Sequence, residues 1–288
     1  MLEVDYTMTF ISGIYGYEIT KPIELGDIKI IPRSPDYSQV TKWARNLDTY
    51  HLTAVVQMEL FSHERLLDLE AVLSFIEHLD VIVTKPIELE RGGTLFDQFP
   101  IQLNGHVRHN GGGNIIMADA FSINSRSDFI KAATAKLEDK AFCEKTKFRS
   151  AFFKSVEVFR SVNNFLDVSY YLLFSGLESF ARGILGDTES GTAIPISELL
   201  QSYGFNIRIE NPTCLPRAVS TYTHLRNALF HNSELEKEVN INGRLVLLKL
   251  VDYYTYFKLL VPLVMMKAVN FDDNHINWDS WIDRQPFK

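Results

Sequence analysis

Three side chains near the end of the sequence have types and a spacing that could act on a phosphodiester. Arg226, Asn227 and His231 fall within residues 222–232, whose pattern predicts a helix. Asn227 and His231 are four residues apart and share one helix stripe, so the amide is expected to hydrogen-bond the imidazole and fix its tautomer. Arg226 lies on the flank, from which its forked guanidinium can bind a phosphate through two donors.

These side chain types suit RNA cleavage. A histidine can take the proton of a ribose 2′-hydroxyl or give one to the leaving oxygen, and an arginine can stabilise the charged phosphorane. The chemistry needs neither a metal nor a cofactor, so none is expected. Each residue also has a purely structural alternative. His231 could cap the last carbonyls of its helix, and Arg226 could form an ion pair with Glu178 or Glu234.

The spacing of arginine and histidine is weak support when taken alone. Arg45, Asn46 and His51 repeat the pattern with one extra residue, in a segment that predicts a surface turn before a strand. A glycine-rich segment with two histidines, residues 106–113, lacks the frame of a phosphate loop and predicts a hairpin tip. Cys143 and Cys214 have no metal-site spacing and cannot form a disulfide framework.

The elements that must position these residues change character along the chain. Short β-type runs separated by Gly, Pro and Asn predict an antiparallel β domain, with a sandwich as one form it could take. The predicted strands are residues 7–14, 28–31, 52–60, 81–83 and 115–117, with a short helix at 66–79. The pentapeptide Lys-Pro-Ile-Glu-Leu occurs at residues 21–25 and 85–89, where we expect two similar entries into strands.

From residue 127 onward the apolar residues take the spacing of amphipathic helices. The predicted helices are residues 128–142 (with Ser127 as the N-cap), 148–165, 168–185, 196–203, 215–230 and 245–269. Helices joined by short loops pack as a bundle. The fold class is therefore α+β, with an antiparallel β-rich N-terminal domain followed by an all-α C-terminal bundle.

Composition limits the classes of function. The chain is 46% hydrophobic and 12% aromatic, which argues against disorder. Its net charge of −7 speaks against a general nucleic-acid binder. One local exception is the segment from Lys131 to Arg160, which contains eight cationic and four anionic side chains. This excess could be a solvated helix face or a local basic site. The few cysteines, the lack of a signal peptide and the lack of a membrane-length apolar run predict a soluble cytoplasmic protein.

The segment from Arg226 to Asn232, preceded by Tyr222 and Leu225 and set in a helical bundle, resembles HEPN domains. It looks most like the ApeA-like branch associated with bacterial anti-phage defence, and the Leu-Glu pair that ends at Glu178 is similar to one found upstream in that family. The resemblance covers about residues 145–270. Asn232 stands where glycine is frequent, and asparagine also tolerates a left-handed helix cap.

The resemblance implies a domain layout and a function. Residues 1–125 would be a β-rich sensor or regulatory domain, 126–144 a connecting helix, 145–270 the HEPN-like bundle and 271–288 a tail. The implied activity is a metal-independent endoribonuclease of toxin or defence type, with Arg226, Asn227 and His231 catalytic and Glu178 in support. RNA is the substrate, a homodimer through the bundle completes the site, and a phage-derived or antitoxin regulator is implied. The alternative is a non-catalytic module for dimerisation or for binding nucleotide or RNA.

Overall fold

The computed structural model of the chain describes residues 9–89, 93–104, 115–161 and 165–288. The chain divides into two compact units, Met1–Ala135 and Lys136–Lys288. The first unit is built on an antiparallel sheet and the second is mainly helical. The predicted fold class, α+β with the β-rich part first, is confirmed.

Seven strands of the described residues form the sheet of the first unit, in the order β2-β3-β4-β1-β5, with β6 also on β1 and β7 on β4. The strands are β1 (Phe10–Tyr15), β2 (Ile23–Leu25), β3 (Ile28–Pro32), β4 (Tyr50–Met58), β5 (Ile82–Val83), β6 (Ile87–Glu88) and β7 (Gln102–Leu103). β4 is paired on both edges, since Met58 lies opposite both Phe10 and Ile28. It is buried along almost its whole length, as its apolar sequence requires.

Four of the predicted strand segments overlap observed strands, and the two pentapeptide copies do lead into β2 and β6. The strand predicted at residues 115–117 is wrong. Ile116 is fully buried there but belongs to no strand. The apolar residues of this segment therefore pack in the core without forming the hydrogen bonds of a sheet.

Two helices of the first unit lie between strands. α1 (Tyr37–Ala44) was not predicted, although Asp36 caps it by accepting hydrogen bonds from the backbone N–H groups of Ser38 and Gln39. α2 (His63–Glu77) was predicted, with its start three residues too late, and Ser62 caps it. α2 is buried on most of its surface. The described part of this unit therefore has one sheet with helices, not the two packed sheets of a sandwich.

A buried ion network joins two helices of the first unit to the segment that follows β1. Arg126, in α3 (Ser125–Glu138), is 1% exposed and donates to the Glu18 carbonyl at 2.5 Å and to Glu77 Oε1 at 2.9 Å. Its other terminal nitrogen is 3.8 Å from Glu18 Oε1. Burial alone would lower the pKa of Arg126, but Glu77, Tyr17 and Glu18 together raise it, so the guanidinium stays charged.

The second unit consists of helices and one hairpin. Its elements are α4 (Lys140–Thr146), α5 (Phe148–Arg160), α6 (Leu166–Leu185), α7 (Ala193–Ser202), a 3-10 turn (Leu215–Arg217), α8 (Val219–Asn232), β8 (Glu236–Ile241), β9 (Arg244–Lys249), α9 (Leu250–Ala268) and α10 (Ser280–Asp283). Within the described residues, no helix combines the length and the apolar character that crossing a membrane needs.

Three helix predictions in this half need correction. Ser127 is not an N-cap, because α3 already begins at Ser125, and the single helix expected to residue 142 breaks at Asp139, which caps α4 through the Phe142 N–H. α5 ends at Arg160, five residues early. The helix predicted from residue 245 begins only at Leu250, because residues 236–249 form an antiparallel hairpin.

The hairpin turn explains why the C-terminal half is not purely helical. Asn242 and Gly243 both have positive φ, 50° and 81°, as a type I′ turn requires. The Asn-Gly pair between two β-rich runs was the sequence signal for it, and the helical spacing of the following residues hid that signal.

Aromatic packing fixes α6 against α8 and α9. The ring of Phe257 on α9 lies 5.3 Å from that of Tyr170, 5.8 Å from that of Phe174 and 4.9 Å from that of Tyr222. The Tyr170 hydroxyl also donates to the Tyr222 carbonyl at 2.6 Å, which joins α6 to the first turn of α8. At the other end of α6, Gly183 lets the backbone of Thr146 approach so closely that a Cβ there would lie 2.6 Å from the Thr146 Cα.

Candidate functional site

The Arg226, Asn227 and His231 motif lies on the last two turns of α8. Tyr222, Leu225 and Ala228 form the buried stripe of this helix. Arg226 lies beside that stripe in sequence and is half-buried, whereas Asn227 and His231 are exposed. The helix ends with Ser233 in the left-handed region, at φ 57°, so Asn232 is the last helical residue and not the left-handed cap.

Arg226 is held by contacts on two sides. One terminal nitrogen lies 3.7 Å from Glu178 Oε2, and the other donates to Asn227 Oδ1 at 2.9 Å. The guanidinium carbon lies 4.8 Å from the ring centre of Phe230 and 5.9 Å from that of Phe174. About a quarter of the side chain, 24%, remains exposed. Arg226 is thus an oriented cation at the protein surface, the arrangement that binding of an anionic group requires.

The hydrogen bond expected between Asn227 and His231 is not formed among the described residues. Asn227 Oδ1 accepts from Arg226 instead, because the neighbouring guanidinium is the stronger donor. His231 presents an exposed imidazole at the C-terminal end of α8. The structure therefore brings Asn227 to Arg226 and leaves the imidazole of His231 exposed.

Glu178 on α6 connects the motif to a second arginine. Its Oε2 faces Arg226, while its Oε1 accepts from Nε and a terminal nitrogen of Arg182, both at 3.1 Å, and from the Thr192 hydroxyl at 3.0 Å. Of the two carboxylates considered for Arg226, Glu178 is its partner, and Glu234 accepts from Asn232 instead. The Glu178 side chain is only 16% exposed, so these contacts are poorly screened.

Arg182 and Thr192 were missed by the sequence analysis. Arg182 follows Glu178 by four residues on one helix, which is a recognisable ion-pair spacing. Arg182 also donates to the Ser190 carbonyl at 3.2 Å and to the Asp187 carbonyl at 3.4 Å. The connection between α6 and α7 is thereby tied to the same carboxylate that orients Arg226.

A groove of about 560 Å³ borders the motif. The first turns of α6 and the end of α8 line it with the side chains of Asp167, Val168, Tyr171, Leu229, Phe230, Ser233 and Leu235. The rings of Tyr171 and Phe230 lie 4.8 Å apart, and half of Tyr171 (50%) is exposed. The Arg226 guanidinium packs on the ring of Phe230, and the same ring lines the groove.

The other candidates from the sequence do not form a comparable site. Arg45 ends α1 and lies 3.4 Å from Glu18, while His51 is buried in β4, where burial and Arg33 lower its pKa. The segment at residues 106–113 lies outside the described residues. Cys143 and Cys214 are both in the thiol form. In the part of the chain that the structure describes, no group of three or more His, Cys, Asp or Glu side chains is placed to hold a metal ion.

Comparison of the chain with protein-family models, with curated proteins and with solved structures found no match. The functional conclusion therefore depends on the residues of the motif and their surroundings.

Proposed function

We propose that this chain is a metal-independent endoribonuclease of the HEPN type. The observation that carries the proposal is the placement of Arg226. It is half-buried, oriented by Glu178 and by Asn227, and partly exposed less than two helical turns before the exposed His231. An oriented cation and an exposed imidazole on the same helix suit a reaction that develops negative charge on a phosphate and moves protons.

The reaction is an internal transesterification of RNA. The ribose 2′-oxygen bonds to the adjacent phosphorus while its proton goes to a base, and the bond from phosphorus to the 5′-oxygen breaks as that oxygen takes up a proton. The products are a 2′,3′-cyclic phosphate and a 5′-hydroxyl. His231 transfers a proton in this scheme, Arg226 stabilises the phosphorane charge, and Asn227 and Glu178 orient Arg226.

One motif supplies one imidazole, and the scheme needs both a base and an acid. A homodimer that brings two motifs together would supply both, as the HEPN resemblance implies. A suitable apolar surface is available on the hairpin, where Leu245 is 74% exposed and Leu247, on the same face, is 46% exposed. We further propose a cytoplasmic toxin or anti-phage protein, with the first unit as a sensor that responds to a phage-derived or antitoxin regulator.

A non-catalytic binding module is the second candidate. Arg226 is already paired with a carboxylate, and the chain carries a net charge of −7, which disfavours a long RNA ligand. In that case the same pocket would hold a nucleotide or another small anion and release it unchanged.

The test compares RNA cleavage by the parent, Arg226→Ala, His231→Ala and the control His224→Ala. His224 is exposed on the same helix, outside the motif. With chelator present, we expect the first two variants to lose cleavage of single-stranded RNA by about 100-fold or more, the typical cost of losing a charge-stabilising or proton-transfer group. The control should keep the parent rate, and circular dichroism should show that all four proteins fold. Equal cleavage by the parent and both motif variants would refute the proposal, and RNA binding without cleavage would favour the second candidate.

A further inference from the structure

The groove beside the motif combines two kinds of lining. Most of its walls are aromatic or aliphatic, including Tyr171 and Phe230, whose rings lie 4.8 Å apart. Among the described residues that line it, the only charged side chain is that of Asp167, which is exposed in the first turn of α6. Ser233 adds a hydroxyl at the opposite wall. A ligand that fits has flat apolar faces and an edge rich in hydrogen-bond donors.

The position of Arg226 restricts the ligand further. Its guanidinium lies 4.8 Å from the ring of Phe230, and Phe230 is also a wall of the groove. A phosphate held by Arg226 would therefore lie next to the groove, while the Asp167 carboxylate would repel a phosphate inside it. A nucleotide satisfies both conditions, with its phosphate at Arg226 and its base in the groove. The groove volume of about 560 Å³ is within the usual range for small-molecule sites.

We propose that this groove is a guanine-binding subsite for single-stranded RNA. Unpaired RNA bases are recognised by stacking on aromatic side chains and by hydrogen bonds to their Watson–Crick edges. Guanine is the base whose edge presents two adjacent donors, N1–H and the N2 amino group, which match the two oxygens of one carboxylate. Tyr171 supplies the stacking surface and Asp167 the two acceptors. This inference rests on the proposed ribonuclease function, because it names the base bound beside the reactive phosphate.

The groove borders the motif through Phe230, and Arg226, Asn227 and His231 are not among the residues that line it. Binding of a nucleoside, which carries no phosphate, therefore tests the groove without any cleavage. The measurement is calorimetric binding of guanosine, adenosine, cytidine and uridine to His231→Ala, with and without Asp167→Asn in addition. Asp252→Asn is the matched control, since Asp252 is an exposed acid in the first turn of α9.

The expected result is that guanosine binds about tenfold or more tightly than the other three nucleosides, the usual discrimination from a paired set of hydrogen bonds. Asp167→Asn should abolish that preference and Asp252→Asn should keep it. Tyr171→Ala should weaken all nucleosides and Tyr171→Phe should not, since stacking needs only the ring. Tyr171 is half exposed, so neither change should unfold the chain.

Equal affinity for the four nucleosides, or an unchanged preference in Asp167→Asn, would overturn the inference. So would failure of guanosine to bind while Tyr171→Arg converts a dimer into monomers, because a second copy of the chain would then cover the groove. The two proposals fail separately. Guanosine binding by a protein that never cuts RNA would refute the nuclease alone, and RNA cleavage without any guanosine preference would refute the guanine subsite alone.

Discussion

The buried Arg126 network gives a prediction that can be worked through from the structure. The change is Arg126→Met, which keeps much of the side-chain length and removes the charge. Arg126 is 1% exposed, and it neutralises Glu18 and Glu77, whose side chains are 3% and 4% exposed. Breaking a buried ion pair by removing one partner costs about 3–5 kcal/mol, because the other charge stays buried. We expect a loss of that size in the free energy of unfolding of the first unit.

Native-state hydrogen exchange at the amides of β4 measures this quantity for the first unit alone. Lys131→Met is the control, since Lys131 is exposed on the same helix. That variant should change the free energy by less than about 0.5 kcal/mol, as for other surface substitutions. If Arg126→Met stayed within about 1 kcal/mol of the parent, smaller than any cost expected of an unpaired buried charge, the network would not stabilise this unit.

A second substitution separates charge from packing. Glu77→Gln keeps an oxygen that can accept from the Glu18 backbone N–H, a bond of 3.1 Å in the structure. In the parent it should destabilise, because Arg126 loses a carboxylate partner at 2.9 Å. In the Arg126→Met variant it should stabilise, because it removes a buried charge that has lost its arginine partner. The same sign in both backgrounds would contradict the electrostatic account.

Three further predictions concern single positions. Gly183→Ala should cost about 1–3 kcal/mol in unfolding free energy by denaturant titration, because its Cβ would lie 2.6 Å from backbone, and Gly191→Ala, in open space, should not. Glu178→Gln should lower RNA cleavage by about tenfold, which is about 1.4 kcal/mol in the transition-state free energy, while RNA is still bound. The reason is that Arg226 loses the carboxylate 3.7 Å away that orients it, and an unchanged cleavage rate would refute that role. Burial raises the pKa of the Asp119 carboxyl in the folded chain, so the folded chain binds this proton more tightly than the unfolded chain does. The stabilisation that results is present at low pH and is lost as the pH rises through the raised pKa. Asp119→Asn should therefore stabilise more at pH 7 than near pH 4 in urea titrations, and an equal effect at both would refute this.

The fold class could be predicted because it depends on periodicity. The helical spacing of the buried residues Leu173, Leu177 and Phe180 indicated α6. The errors lie where a local signal competes with periodicity. The Asn242 turn was hidden by the helical spacing that follows it, and the cap at Asp139 split a helix whose apolar spacing continued across it.

The motif could be predicted from sequence, and so could Glu178 as one of two alternative partners of Arg226, but the partner of Asn227 could not. Whether Asn227 accepts a hydrogen bond from Arg226 or from His231 depends on which donor lies within reach of its side chain. The spacing of the residues along the sequence does not determine this. Thr192 joins Glu178 only after the chain between α6 and α7 has folded back. The groove likewise exists only when the start of α6 lies beside the end of α8. Such features depend on tertiary packing, which one-dimensional patterns do not contain.

The chemistry of the RNA ends tests the central claim most directly. Single-stranded RNA is incubated with the purified chain and a chelator, and the new ends are identified by mass spectrometry. A 5′-hydroxyl end accepts phosphate directly from a polynucleotide kinase, and a 2′,3′-cyclic phosphate end resists ligation. The account predicts 2′,3′-cyclic phosphate and 5′-hydroxyl ends, formed by the parent and the His224→Ala control but not by His231→Ala. Intact RNA in every sample, or ends of a different type that form equally well without His231, would contradict it.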